Sequence, residues 1–185
     1  MAPVSGDLTA FVDESSSHST YILAATVIDP TAAAHATDEM RSLHKGKTGK
    51  LHWNSEGTDR RRFIADRLAH LGLAHLVVVR TTSRTERSER QRRKCLERLA
   101  MEVEQLSIPL MILESRGKAD DRRDLETLQT LRAQKRLGPR LRIAHERGPA
   151  QPLLWIPDVV CGAYHGQGPE WLTLADSCTV HEVLA

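Results

Sequence analysis

The chain is poor in aromatic residues, which make up 4% of its 185 positions. Stacking platforms for single-stranded bases are therefore scarce. It has three cysteines, Cys95, Cys161 and Cys178, widely spaced and without a C-x-x-C pair. That excludes a disulfide framework and a cysteine zinc site, and it fits a reducing cytoplasm. No apolar run approaches the roughly 20 residues that cross a bilayer, so a membrane partner is not expected. The first residues, Met1 to Asp7, hold neither a basic region nor an apolar signal core, and secretion is not expected. There is no excess of one charge: the net value is +2, which says little about partners. Repeats, linkers and low-complexity tracts are also missing. The Lys45–Lys50 loop lacks the spacing of a P-loop.

What is there is an ordinary globular composition, 40% hydrophobic and 27% charged, over a length that suits one domain spanning residues 1–185. The opening, Thr9 to Asp13, reads as a strand that runs apolar and then stops on two carboxylates, Asp13 and Glu14. A Ser-rich turn, residues 15–18, leads into a second strand from about Ser19 to Ile28, as in a hairpin. Asp29-Pro30 stops that strand and a helix follows to about Leu43. Thr58 suits a helix N-cap, with Phe63, Ile64, Leu68 and Leu71 at helical spacing up to Gly72. Further strands are expected at Leu73–Thr81, Pro109–Glu114 and Leu141–Ala144, and further helices at Ser83–Leu106, Asp120–Leu137 and Leu153–Tyr164. Leu125, Leu128 and Leu131 share one face of the second of these helices, and Pro157 falls in the first turn of the third. The segment from Trp171 has no clear pattern. The order predicts an α/β protein with a mixed sheet: antiparallel first strands, then parallel crossovers, flanked by helices.

Three acids stand where chemistry uses them. Asp13 ends the first strand, Glu114 ends a later apolar strand, and Asp158 lies on a strongly apolar helix. Open α/β sheets gather ligands beyond the carboxyl ends of adjacent strands. Clustered carboxylates repel one another, and a divalent cation relieves that repulsion. Mg2+ and Mn2+ favour such oxygen donors. A pair of these ions roughly 3.5–4 Å apart serves phosphodiester hydrolysis. Each residue also has a plainer reading. Asp13 suits a turn cap, Glu14 faces the other way if the strand continues, and Glu114 is a solvated strand end beside Arg116. Asp158 suits a helix N-terminus. His52, between two apolar residues, is as readily a structural histidine as a phosphate contact or proton shuttle. Asp120-Asp121 reads as a helix start, and the Arg/Glu-rich segment after Ser83 as a solvated helix face with i,i+4 pairs.

These motifs carry a resemblance. Phe11-Val12-Asp13-Glu14-Ser15 with the strand after it, Leu51-His52-Trp53, Ile112-Leu113-Glu114-Ser115-Arg116, and Leu154 through Asp158 to Ala163 together resemble domain-of-unknown-function family 3800, over about Thr9 to Gly166. That family is assigned to the ribonuclease-H-like superfamily. The placement of acids on the first strand, fourth strand and last helix is also similar to that of RuvC-like resolvases. The resemblance implies a ribonuclease-H-like fold and a Mg2+- or Mn2+-dependent nuclease acting on DNA or RNA. Asp13, Glu114 and Asp158 would hold metal, Glu14 would join the catalytic set, and His52 and Arg116 would contact substrate. Nucleic acid is the implied partner, and a homodimer is left open. Three positions depart from the family pattern: Trp155 stands where glutamine is usual, Lys50 near where an acid precedes the histidine motif, and Ser16 where glycine follows the acidic pair. The Trp155 departure keeps open a non-catalytic nucleic-acid-binding or assembly module on the same scaffold, and the lack of a strong basic excess keeps open a small-molecule phosphoesterase.

Overall fold

The computed structural model describes residues 7–17, 19–46, 49–82 and 86–184. Its centre is a six-stranded sheet: β1 (Thr9–Ser16), β2 (Thr20–Ile28), β3 (Ala74–Thr81), β4 (Leu110–Glu114), β5 (Arg142–Glu146) and β6 (Cys178–Val183). The strand order is β5-β4-β1-β2-β3-β6. β1, β2 and β3 pair antiparallel, whereas β4 runs parallel to β1, β5 to β4 and β6 to β3. The helices are α1 (Pro30–Leu43), α2 (Thr58–Ala69), α3 (Ser88–Gln105), α4 (Lys118–Ala133), α5 (Trp155–Gly166) and α6 (Pro169–Leu174). No helix among the described residues is long and apolar enough to cross a membrane.

The alternation of side chains along each strand divides the interior in two. Phe11, Ile22, Ala24, Val77 and Ile112 pack toward α1, α2, α5 and α6. Ala10, Val12, Leu23, Val78 and Leu113 pack toward α3 and α4. The result is three layers, with β1, β2 and β4 covered on both faces, which is why their sequences read as continuous apolar runs.

Several elements differ from the sequence reading. β1 continues to Ser16, three residues beyond Asp13, because Asp13 to Ser16 pair with Ala24 to Tyr21. His18 of the expected turn lies outside the described residues. Thr58 is the first helical residue of α2, and Gly57 takes the N-cap place. Phe63, expected on the apolar stripe, is 49% exposed and lies under the Arg60 guanidinium. The patternless C-terminal segment forms α6 and β6, and β6 extends the sheet along β3.

The largest difference is on α4. Leu125 is exposed at the surface, and the buried stripe is Asp124, Leu128 and Leu131, an i, i+4, i+7 set headed by an acid. Asp124 accepts two hydrogen bonds from Arg92 of α3, at 2.9 and 2.8 Å, and lies 3.0 Å from His145 Nε2 on β5. Arg92 is itself buried, although the reading of α3 as a solvated face placed it outside. Elsewhere that reading holds, with Arg93–Glu97, Lys94–Glu97 and Arg98–Glu102 pairs along the helix.

Burial alone would raise the Asp124 pKa. Hydrogen bonds from Arg92 and His145, with the charges of Arg92 and Arg116, more than offset it and bring the value down to about 2. A carboxyl depressed in the folded state stabilises above its unfolded pKa, and that contribution disappears as pH falls through the folded value. Thermal melts of the wild type should therefore lose stability between about pH 4 and pH 2, with a smaller loss in Asp124→Asn. At pH 7, Arg92→Met should cost about 3–5 kcal/mol in denaturant unfolding, because it leaves Asp124 charged, buried and short of its main partner.

Candidate active site

β1 and β4 are parallel neighbours in register Phe11↔Ile112 and Val12↔Leu113, so their carboxyl ends emerge together. Phe11 and Ile112 face the α5 side, and the period of two puts Asp13 and Glu114 on that same side. Both carboxyl groups lie about the same Lys50 ammonium, and the charge of Glu114 is felt at Asp13. Asp13 also accepts the backbone N–H of Glu14 at 2.8 Å. α5 crosses this edge: the Cys161 thiol donates to the Asp13 carbonyl at 3.5 Å. Asp158, in the first turn of α5, is 6% exposed. Its charge is felt at both Asp13 and Lys50. The three acids proposed from the sequence thus share one side of one sheet edge.

The segment Lys50-Leu51-His52-Trp53 closes the site. Leu51 and Trp53 are buried and anchor it, and the residues that alternate with them turn toward the acids. His52 Nδ1 lies 3.1 Å from both Asp158 oxygens, and the Trp53 backbone N–H donates to Asp158 Oδ2 at 2.7 Å. Lys50 Nζ lies 2.6 Å from Glu114 Oε2 and 3.7 Å from Asp13 Oδ2. Two glycines permit these approaches. A Cβ on Gly162 of α5 would sit 2.0 Å from the Trp53 ring. One on Gly148 would sit 2.4 Å from Glu114 Oε1 and 2.9 Å from Lys50 Cδ.

Burial, then the charge of Glu114, drives the Asp13 pKa well above the carboxylate range; Asp158 adds to the rise and Lys50 opposes it. Burial would lower the Lys50 pKa, but Asp13, Glu114 and Asp158 outweigh it and hold the ammonium above its ordinary value. The site is a largely buried acidic cluster with an ammonium already paired inside it. Among the described residues, no three His, Cys, Asp or Glu side chains close on one point as a finished ligand set. Asp158 is turned instead toward His52 and the Trp53 backbone.

Two expected site residues are not brought here. Because β1 continues through Glu14, that side chain points to the α3 side and pairs with Arg92 and Arg116. Arg116 belongs to the same opposite-face network, 3.2 Å from Glu89 and 3.5 Å from Asp124. A catalytic role for Glu14 and a substrate contact from Arg116 at the Asp13 site are therefore set aside: the pleat of β1 carries Glu14 to the other side of the sheet, and Arg116, two residues past the end of β4, turns there to pair with Glu89 and Asp124. Lys50, Gly148 and the Trp53 backbone N–H were not singled out as site groups from the sequence. The alternation in Lys50-Leu51-His52-Trp53 was the available signal, since it places Lys50 on the same side as His52.

Two clefts flank these elements. One of about 430 Å3 is lined by Ser15, Trp53, Asn54, Arg61 and His165, and shares Trp53 and the end of β1 with the acidic pocket. Arg61 lies over the Trp53 ring at 5.2 Å and donates to the Trp53 carbonyl at 3.1 Å. The larger, about 1320 Å3, runs along α3 and α4 and contains none of the three acids. Its Arg80, Arg90 and Arg93 are paired with Glu86 and Glu97, as on a solvated charged face. Compared with known proteins, the chain matches no family model and no curated protein.

Two substitutions should separate the strains in this pocket. In protein stripped of divalent ions, Asp13→Asn should raise stability at pH 7 by about 1 kcal/mol, because it removes a buried carboxyl whose ionisation burial and Glu114 oppose in the folded state. Asp158→Ala should lower it by about 1–3 kcal/mol, because it leaves the buried Trp53 N–H without an acceptor. Urea unfolding followed by circular dichroism reads both.

Proposed function

We propose that the chain is a divalent-metal-dependent nuclease on a ribonuclease-H-like scaffold, hydrolysing phosphodiester bonds in DNA or RNA. The observation that carries this reading is the convergence of Asp13, Glu114 and Asp158 from two adjacent parallel strands and a crossing helix. The antiparallel opening β1-β2-β3 followed by parallel β4 and β5 agrees with the expected scaffold.

The donor chemistry fits Mg2+ or Mn2+. All three side chains offer hard oxygen donors. Once Asp13 loses its proton on ion binding, three carboxylates stand against the one ammonium, an excess of negative charge suited to a divalent ion. Asp13, Glu114 and Asp158 would hold it. When bound, such an ion lowers the pKa of water and stabilises the charge that develops on phosphate.

The chain's own groups supply the remaining chemistry. Asp158 fixes the ring of His52 through Nδ1, and Nε2 is left to exchange a proton with substrate or solvent. His52 is half-exposed, so this nitrogen is accessible. Arg61, buttressed on Trp53, places a fixed positive charge at the cleft beside the acids, where a phosphate backbone would run. Burial of Leu51 and Trp53 keeps this wall in place before substrate arrives.

The full chain with Mg2+ or Mn2+ should cleave at least one of branched, hybrid, single-stranded or duplex substrates. Asp13→Asn and Asp158→Asn should each reduce the rate by at least about 100-fold, a loss expected when a metal ligand or its support is removed. Cleavage that persists in both variants overturns the assignment. Salt-sensitive binding without cleavage identifies the non-catalytic module instead. Turnover of a small phosphodiester without polynucleotide affinity identifies the phosphoesterase.

A further inference from the structure

Lys50 is held unlike a surface lysine. Its ammonium is 2.6 Å from Glu114 and 3.7 Å from Asp13, and its side chain is 22% exposed. The neighbouring Leu51 is buried, which fixes the direction from which the stem enters. The space that receives the Lys50–Glu114 pair exists because residue 148 has no side chain: a Cβ there would overlap both partners. The position of Gly148 is in turn fixed by the Trp155 indole, which donates to its carbonyl at 2.7 Å from the first residue of α5. Trp155, Gly148, Glu114 and Lys50 therefore form one packed relay, and its outcome is an ammonium lodged among the acids.

Charge then limits what else the pocket admits. Three carboxylates, one ammonium and one divalent ion are neutral together. A second divalent ion would leave two positive charges in a poorly hydrated site, where like charges within a few ångströms repel strongly. In two-metal phosphodiester hydrolysis the two ions clamp the attacking and leaving oxygens, and part of what the second supplies is positive charge beside the phosphate. An ammonium with donors left over after pairing with one carboxylate supplies that charge and hydrogen bonds as well.

We propose that Lys50 is a resident cation in place of a second divalent ion, so that the site binds one Mg2+ or Mn2+ and the Lys50 ammonium engages a non-bridging oxygen of the substrate phosphate. This rests on the metal-dependent reading above, and the test distinguishes the failure of each.

Mn2+ binding to the full chain, counted by electron paramagnetic resonance of the free ion and by calorimetry, decides the matter without any activity measurement. The wild type and Lys50→Arg should each bind one ion. Lys50→Gln should bind two, the first roughly tenfold tighter or more, because a neighbouring positive charge is gone. Should circular dichroism show that Lys50→Gln does not fold, Gly148→Ala, which wedges the Lys50–Glu114 pair out of its seat, should also bind two. Two ions on the wild type overturn the resident-cation proposal and leave the metal-dependent reading standing. One ion on both the wild type and the folded uncharged or wedged variant overturns the proposal likewise. No ion on any of them overturns both.

Discussion

Repulsion between the carboxylates of Asp13 and Glu114 is the constraint around which this protein's sheet edge is arranged. Two parallel strands whose pairing stops side by side at acids bring two carboxyl groups together with little water between them. Such an edge needs a compensating cation. The Lys50-Leu51-His52-Trp53 segment delivers one, and the elements around it serve that delivery. Leu51 and Trp53 anchor the segment, Gly162 lets Trp53 approach α5, and Gly148 leaves room for the ammonium. Asp158 binds the same segment through its backbone and through His52.

The opposite side of the same edge is handled differently. Glu14, next in sequence to Asp13, enters a network of Arg92, Arg116, Asp124 and His145 in which opposite charges are matched within the protein. One dipeptide thus feeds two electrostatic environments. On the α3 and α4 side, charge is closed by guanidinium groups, and Asp124 is held firmly ionised. On the α5 side, charge is only partly closed, and Asp13 is biased toward its protonated form.

Much of this was legible in the sequence because it follows from period and punctuation. The apolar run that stops on Glu114 locates a strand end, the one that stops on Asp13 marks where β1 leaves β4 while continuing beside β2 to Ser16, and the expected order of strands and helices matches the mixed sheet that forms as far as α5. The acid within Trp155–Ala163 signals a site because an apolar helix does not carry a buried carboxylate without a partner. What escaped was long-range pairing. Leu125 and Asp124 are adjacent, and either could head a helical stripe with Leu128; only Arg92 and His145, brought from α3 and β5, make the acid the buried choice. Glu14 and Arg116 sit beside the motif acids in sequence, but the pleat of β1 turns Glu14 away, and the chain after β4 carries Arg116 to the same opposite side. β6 has weak alternation and depends on β3 for its place, so nothing local announces it.

The Arg92–Asp124–His145 network has an evolutionary consequence. Its members come from three separate elements, α3, α4 and β5, and no single replacement leaves the others neutral and satisfied. Replacing one partner strands a buried charge, whereas exchanging the group together for apolar side chains of similar volume is far milder. Descendants of this chain would therefore cross a fitness valley to lose the network, through a coordinated exchange or a prior stabilising change elsewhere. Sign epistasis of this kind would lock the three positions to one another across a lineage, whatever happens to the chemistry on the other side of the sheet.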